Sequence, residues 1–298
     1  MISVVIPCYN CEKLIYRAVN SVLLQTYTDY EIILVDNNST DDTNDVIHDI
    51  QLMHPGKVTC YFEGKKGAPY ARNRGLLEAK GEFIQFLDAD DELTSDKLER
   101  QVAIASQSNA DVVVGGSALL YETGKGGYKK HIKHPDKDIW AGLINSNLGI
   151  TSANLWRKSS LSSVGGWDGH LTSSQEYDLL FRLLKNGAKI EVDDAVSAII
   201  FKSDSTISKS NNIKKQEEII LNRITLREQI KTFLFQAGLL SAELKRMADT
   251  YIYNELVLNV SPASSMRLDY LTTHELDVVK PNYLKTKVKN FTKRLGLR

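Results

Sequence analysis

The sequence predicts an α/β fold with a mostly parallel central sheet flanked by helices, followed by a helical C-terminal extension. Short β-branched runs alternate with helical patterns of ~10–15 residues between residues 2 and 115, which is typical of parallel strands joined by crossover helices. Polar residues cluster directly after these runs, where the ligand-binding loops of such a sheet lie. Beyond residue 205 the patterns are helical, which indicates the extension.

The predicted elements of the first part alternate between strand and helix. The strands lie at residues 2–6, 30–35, 58–62, 83–87 and 111–115. The helices between them lie at residues 12–25, 41–53, 69–79 and 95–108. Farther along, the patterns predict a strand at 150–156, a tight turn at 165–168 and a helix from residue 173; the extension has helices at 213–236 and 241–258.

The composition is that of an ordinary globular protein, with 42% hydrophobic and 25% charged residues among 298. Basic and acidic residues number 37 each, so the overall charge gives no reason to expect a nucleic-acid partner. The three cysteines fit reduced thiols, and no run approaches the ~18 apolar residues of a membrane span. We therefore expect a cytoplasmic protein that does not bind nucleic acid.

Three carboxylates follow directly after the predicted strand at residues 83–87. Asp88, Asp90 and Asp91 lie where ligands bind in open α/β sheets, beyond the carboxyl ends of the strands. On an extended backbone Asp88 and Asp90 would project to the same side. Such a pair suits Mg or Mn, with phosphate oxygens and water completing the coordination. The alternative is a solvated acidic turn before the next helix.

Polar segments also follow the first two strands and would face the same crevice. They are residues 7–10 and 36–41, and the second of them also resembles a helix-capping turn. Asp36 fits the capping interpretation less well, because it ends the strand instead of starting the helix. Four cations nearby suit a phosphorylated ligand, although a solvated helix face is the alternative: Lys65, Lys66, Arg72 and Arg74.

Four segments in this order resemble the inverting family 2 glycosyltransferases of the bacterial surface-polysaccharide type, which have the GT-A nucleotide-sugar fold. The segments are SVVIPCYN at 3–10, VDNNSTD at 35–41, ARNRG at 71–75 and FLDADD at 86–91. The resemblance covers residues 1–205, with 1–91 as the nucleotide-binding half and 92–205 as the acceptor half. Residues 206–298 would form the helical extension with a basic tail.

The resemblance implies roles for six residues toward the donor and its divalent metal, Mn or Mg. Pro7 and Tyr9 would border the nucleotide base, Asp36 would hydrogen-bond it, Arg72 would approach the nucleotide, Asp88 would meet the ribose or diphosphate and the metal, and Asp90 would bind the metal.

The same resemblance places a catalytic base at the helix that begins near residue 175. Family members usually have a Glu-Asp pair there, and this chain has Gln175-Glu176. Glu176 is therefore the predicted base, with Asp178 as the second candidate. Without the resemblance, both acids would be first-turn residues favoured by the helix dipole. Many relatives have a histidine near the metal in a later loop, where Asp204 is this chain's available candidate.

The predicted function is inverting transfer of a sugar from a nucleoside diphosphate sugar, by default a uridine diphosphate sugar. The acceptor would be a hydroxyl of a saccharide or lipid-linked saccharide in cell-surface polysaccharide or glycolipid synthesis. Two alternatives remain at this point: a non-catalytic nucleotide-sugar-binding or scaffold protein of the same fold, and a metal-dependent nucleotidyltransferase or phosphohydrolase.

Two basic segments lie outside the predicted donor site. Residues 125–137 are interpreted as a mobile, histidine-containing loop that contacts the acceptor. Residues 285–298 are charged only by lysine and arginine, interleaved with apolar residues. They suit either a helix resting peripherally on the cytoplasmic face of the inner membrane or a soluble cationic tail. The C-terminal helices also offer a surface for a homodimer.

Overall fold

The computed structural model describes residues 1–123, 126–202, 213–261 and 264–278. The described residues divide into two compact units, with the boundary between residues 211 and 212. The first unit is α/β and the second is helical. Two predicted features, Asp204 and the basic tail at 285–298, lie outside the described residues.

The strands of the first unit form a single sheet within the described ranges. Its order is β3-β2-β1-β4-β8-β6-β9-β5, and β7 pairs with β6 off this path. The strands are β1 Ile2–Cys8, β2 Tyr30–Asp36, β3 Val58–Phe62, β4 Phe83–Phe86, β5 Asp91–Leu93, β6 Val112–Thr123, β7 Gly127–Lys133, β8 Leu155–Arg157 and β9 Ile190–Lys202.

The first unit contains seven helices in addition to its sheet, and the second unit is formed by three further helices within the described ranges. Those of the first unit are α1 Ile15–Leu23, α2 Thr43–Met53, α3 Ala68–Glu78, α4 Lys97–Ser108, α5 Ile139–Asn145, α6 Lys158–Ser163 and α7 Gln175–Lys185, with a 3₁₀ helix at Thr151–Ala153. The second unit contains α8 Ile213–Gln236, α9 Ala242–Asn259 and α10 Ser265–Thr273.

The first four strands form the parallel half of the sheet, as the βαβ rhythm predicts. Strand β1 lies between β2 and β4 and is parallel to both. Its residues Ile2, Val4 and Ile6 are fully buried and pack in the core with Ile15 of α1. Because both faces of β1 are covered, its sequence is a nearly continuous apolar run. The α/β fold class is confirmed, and the polar segments after β1, β2 and β4 meet at one edge.

Helix α3 lies close against β1 because residue 75 has no side chain. A Cβ at Gly75 would lie 2.2 Å from Cγ1 of Val5. Real Cβ atoms do not approach other atoms so closely, so the packing requires glycine here. The same helix contains Arg72, one turn earlier, which is therefore set close to the carboxyl ends of the strands.

The second half of the sheet is mixed, and two local predictions are wrong there. Residues 127–133 form β7, which pairs antiparallel with β6, instead of a mobile loop. All seven residues of β7 are exposed, so it lacks the alternation of apolar and polar residues that reveals a strand. The predicted strand at 150–156 is a 3₁₀ helix followed by β8. In this segment the side chains of Ser152 and Asn154 are buried, and hydrogen bonds satisfy their polar atoms.

The second unit has a small apolar core of its own. Ile220 and Ile224 of α8 pack with Ile252 and Leu256 of α9. The fully buried carboxylate of Asp249 is paired with two lysines, Lys231 and Lys245. Within the described ranges, no helix is long and apolar enough to cross a membrane.

Candidate active site

The acidic run after β4 is a turn, not an extended segment. The backbone N–H of Asp91 donates to the carbonyl of Asp88 over 3.0 Å. The prediction that Asp88 and Asp90 lie on an extended backbone, which would direct both side chains to the same side, is therefore wrong. Their charges still interact, because the Asp88 carboxylate contributes to a raised pKa at Asp90, after the larger effect of desolvation. The turn gathers negative charge at the carboxyl end of β4.

Arg72 of α3 places a positive charge at this site. Its guanidinium is buried, with 6% of the residue exposed, and Nη2 lies 2.7 Å from Oδ1 of Asp88. The guanidinium carbon lies 4.6 Å from the ring centroid of Trp167, and Nη1 is 3.5 Å from Oε1 of Gln175. These contacts hold a permanent positive charge beside the acidic turn.

Glu176 lies in the first turn of α7, near Arg72 and Asp88. Its Oε2 accepts a hydrogen bond from Oγ1 of Thr151 over 3.1 Å. Burial raises the pKa of this carboxyl, while the positive charge of Arg72 lowers it and the negative charge of Asp88 raises it. A carboxylate whose pKa is raised by desolvation is suited to accept a proton.

Asp178, the second candidate base, is engaged in a different way. Its Oδ2 lies 2.7 Å from Nη2 and 2.8 Å from Nε of Arg182, one turn later in α7. Arg182 also donates to the carbonyls of Val164 and Gly166. Asp178 therefore helps to hold the segment before Trp167 against α7, and this geometry favours Glu176 as the base.

Asp36, at the end of β2, has a buried oxygen without a partner. The residue is 4% exposed, and its Oδ2 lies 3.4 Å from the backbone nitrogen of Ser39. Its Oδ1 has no hydrogen-bond partner among the described residues. An unpaired buried acceptor costs roughly 1–3 kcal/mol, so this oxygen is suited to a ligand that brings a donor.

Other predicted residues border Asp36. Pro7 is half-buried in β1 beside Val35 of β2, and Tyr9 beyond it is 50% exposed. Asn37, which follows Asp36, holds residues 63–65 in place, because its amide donates to the carbonyls of Glu63 and Lys65. Pro7, Tyr9 and Asp36 thus lie together at the end of β1 and β2, with an exposed aromatic ring at the border.

The predicted metal ligands are Asp90 and Asp88. Within the described ranges, no group of three histidine, cysteine or carboxylate side chains forms a metal cage. The oxygen donors nevertheless fit Mg or Mn, and a cation would relieve the mutual repulsion of the carboxylates. At their neighbour Asp91, burial is the main cause of a pKa raised to about 8, and the charge of Asp88 is the second cause. The residues therefore fit an ion that shares its coordination with ligand oxygens.

The sequence patterns missed the 3₁₀ helix as part of the site. Ser152 donates from Oγ to Oδ2 of Asp91 over 2.6 Å and accepts from the backbone nitrogen of Asp88. Its neighbour Thr151 holds Glu176. Because every one of these contacts is long-range, no local pattern could have revealed them. The sequence predicts Trp167 only as part of a turn, and its contact with Arg72 depends equally on the folded chain.

The chain is similar to known glycosyltransferases in sequence and in fold. The model of the family described as Glycosyl transferase family 2 matches residues 3–164, more than half of the chain. An uncharacterized glycosyltransferase of Nostoc is 44% identical over 108 residues, which cover 36% of this chain and 34% of that protein.

A relative with a described reaction is the Escherichia coli protein WfaP, named as a UDP-Glc:α-D-GlcNAc-diphosphoundecaprenol β-1,3-glucosyltransferase. It is 43% identical over 103 residues, covering 34% of this chain and 40% of WfaP. The chain thus spans about a third to two fifths of the length of these relatives.

Among solved structures, S. aureus TarS 1-349 in complex with UDP-GlcNAc resembles the chain with a TM-score of 0.63. Sequence identity is 19%, and the match covers 87% of this chain and 73% of the TarS chain. At this identity the likeness shows the fold alone, and that fold agrees with the predicted architecture.

Proposed function

Because the chain belongs to glycosyltransferase family 2, we propose that it transfers a sugar from a nucleoside diphosphate sugar to a hydroxyl group, with inversion at the anomeric carbon. The proposed donor is a uridine diphosphate sugar, and the proposed acceptor is a saccharide or lipid-linked saccharide. Uridine diphosphate donors occur in the names of WfaP and of the TarS complex, which supports this choice.

One observation carries the proposal: a candidate base and a candidate leaving-group stabiliser share one small cluster. Glu176 comes from α7, while Arg72 comes from α3 and is paired with Asp88 after β4. The three residues are distant in sequence, but the charges of Arg72 and Asp88 both influence the pKa of Glu176. An inverting displacement requires these two functions at one centre.

In the proposed reaction, Glu176 takes the proton from the acceptor hydroxyl as its oxygen attacks the anomeric carbon. The bond between that carbon and the diphosphate oxygen breaks as the new glycosidic bond forms, so the configuration inverts in one step. Arg72 stabilises the negative charge that develops on the departing diphosphate. Thr151 keeps the carboxylate of Glu176 oriented during the transfer.

A divalent metal fits this scheme, with Asp90 and Asp88 as the residues that would hold it. When bound, Mg or Mn would neutralise charge on the diphosphate leaving group. Asp36 serves the opposite end of the donor. Its unpartnered Oδ1 is suited to accept the ring N–H of uracil, with Pro7 and Tyr9 bordering the base.

The proposed setting is surface polysaccharide or glycolipid synthesis in the bacterial cytoplasm. The acceptor named for WfaP is a lipid-linked saccharide, which supports this setting. The predicted membrane contact depends on residues 285–298, outside the described residues, and stays a prediction, as does the homodimer.

A thermal-shift panel tests the donor site. Purified protein is heated with uridine, guanosine and adenosine diphosphates and their sugars, with and without Mn. We expect uridine diphosphate to raise the Tm, since a ligand that binds only the folded state stabilises it. Asp36→Asn should reduce the rise, because its amide can present an N–H to the N–H of uracil.

Asp42→Asn is the matched control, because Asp42 is an exposed acid of the same segment. It should leave the shift unchanged. If a folded sample shows no shift with any nucleotide or nucleotide sugar, the proposed function is wrong.

A further inference from the structure

The sheet face that carries Asp91 continues across three strands to β7. Asp91 of β5 pairs with Ile200 of β9, Ile200 pairs with Leu119 of β6, and Leu119 pairs with His131 of β7. Residues paired side by side in a sheet direct their side chains to the same face. We call this the site face, defined by the row Asp91, Ile200, Leu119 and His131.

Alternation along β7 then separates its cations. Lys129 and Lys133 lie two residues from His131 and share the site face, whereas Lys130 faces the opposite side. The packing agrees with this division. Leu119 and Ile200 of the site face pack against Ala153 of the 3₁₀ helix.

The site face of β7 is connected to the candidate base through the segment at residues 149–151. Thr151 of the 3₁₀ helix donates to Glu176. Lys133 lines a recess together with Gly149 and Ile150, the two residues that precede Thr151. The hydroxyl of Tyr177, next to Glu176 in α7, donates to the carbonyl of Gly149. These contacts connect the cations of β7 to the proton-accepting side of the site.

The charge on this face is unbalanced. At the β7 end of this face Lys129, His131 and Lys133 are exposed, whereas Lys202 of β9 lies nearer the acidic turn, where its charge lowers the pKa of Asp90 and Asp91. No described residue forms an ion pair with Lys129 or Lys133, and β7 contains no acid. Exposed ammonium groups without partners form charge-assisted hydrogen bonds readily with phosphate oxygens.

The position of β7 distinguishes this surface from the donor site. The donor residues Pro7 and Asp36 lie on β1 and β2, and β4, β8 and β6 lie between β1 and β7 in the sheet. A phosphate group bound at Lys129 and Lys133 while uridine diphosphate occupies the donor site would therefore belong to the other substrate.

We propose that Lys129, His131 and Lys133 form a binding site for the phosphate or diphosphate group of an anionic acceptor. The inference rests on the proposed function, and it specifies the acceptor class: a saccharide that carries a phosphate ester or a diphosphate link near the hydroxyl that is glycosylated. The cations would hold this group while Glu176 faces the hydroxyl.

Geranyl diphosphate is a soluble probe of this site. Calorimetric titration of the full chain, saturated with uridine diphosphate and Mg, keeps the donor site occupied. We expect Lys129→Gln and Lys133→Gln each to weaken probe binding about threefold and the double variant about tenfold, as for exposed charge pairs. Lys130→Gln removes the same charge from the opposite face of the same strand and should leave binding unchanged. Uridine diphosphate affinity should be equal in all variants.

Three results would overturn the inference. The first is no binding of the probe to wild-type protein that has bound uridine diphosphate. The second is equal weakening by Lys130→Gln, which would indicate unspecific attraction. The third is binding to phosphatidylglycerol vesicles without binding of the soluble probe, which would assign the surface to a bilayer. If the wild-type protein does not bind uridine diphosphate at all, the proposed function itself is wrong.

Discussion

At the scale of single residues, the site consists of charged groups withdrawn from water. The charge of Arg72 is compensated by Asp88 and by the ring of Trp167, although its Nε has no hydrogen-bond partner among the described residues. Asp36 likewise has an unpartnered buried atom, Oδ1. A buried polar atom without a partner lowers stability, and a ligand that supplies the partner restores it.

Thr151 offers a test of how Glu176 is held. Activity should fall at low pH as Glu176 becomes protonated, because a protonated carboxyl cannot accept the acceptor's proton. The Thr151 hydrogen bond lowers the pKa of Glu176. Thr151→Val should therefore move the acidic limb of the pH profile of kcat/KM upward by about one pH unit, the equivalent of one hydrogen bond to a charged group.

Thr151→Ser is the control, because it changes the volume of the side chain and keeps the hydrogen-bond donor. It retains the hydroxyl, so its acidic limb should match that of the wild type. If Thr151→Val and wild type have the same profile, Thr151 does not act on Glu176.

At the scale of elements, the site depends on two close approaches. Helix α3 lies against β1 through Gly75 and carries Arg72 to the strand ends. In the 3₁₀ helix, Thr151 donates to Glu176, and the next residue, Ser152, is hydrogen-bonded to both Asp88 and Asp91. A displacement of either element would separate the base from the cation without changing a single site residue.

Gly75→Ala tests the first approach. A Cβ would lie 2.2 Å from Val5, so α3 must move. Alanine favours the helix by about 1 kcal/mol, but overpacking costs about 1–3 kcal/mol and also displaces Arg72. We expect a net loss of about 1 kcal/mol in the free energy of unfolding, measured in urea, together with a smaller thermal shift by uridine diphosphate.

Gly64→Ala is its control, since a Cβ there meets only Cε1 of Phe62 at 3.7 Å. Its stability should stay within about 0.5 kcal/mol of the wild type, as for most surface changes. Wild-type stability and an unaltered nucleotide shift in Gly75→Ala would show that α3 does not need this close approach.

At the scale of the whole molecule, the parallel half of the fold was predictable and the mixed half was not. Strand β1 and its neighbours are buried on both faces, so their apolar runs stand out in the sequence. Strand β7 is exposed along its entire length, and β5 has only three residues. Such strands are defined by pairing with β6 and β9, which a local pattern does not contain.

The candidate site shows the same division. Asp36, Arg72 and Asp88 follow recognisable strands and motifs, so the sequence indicated them. The acidic segment was found as well, although its turn geometry was not. Thr151 and Ser152 contact residues that are distant in sequence, and their positions become evident only when the chain is folded.

In the proposed mechanism, Glu176 accepts the proton of the acceptor hydroxyl during glycosyl transfer. The most direct measurement is the turnover of Glu176→Gln with donor and saccharide acceptor, beside its affinity for uridine diphosphate. Turnover should fall ~10²–10⁴-fold, the usual contribution of a general base, while affinity stays unchanged. Asp178→Asn, which leaves Glu176 in place, should retain most of the turnover. Near-normal turnover in Glu176→Gln would contradict the account.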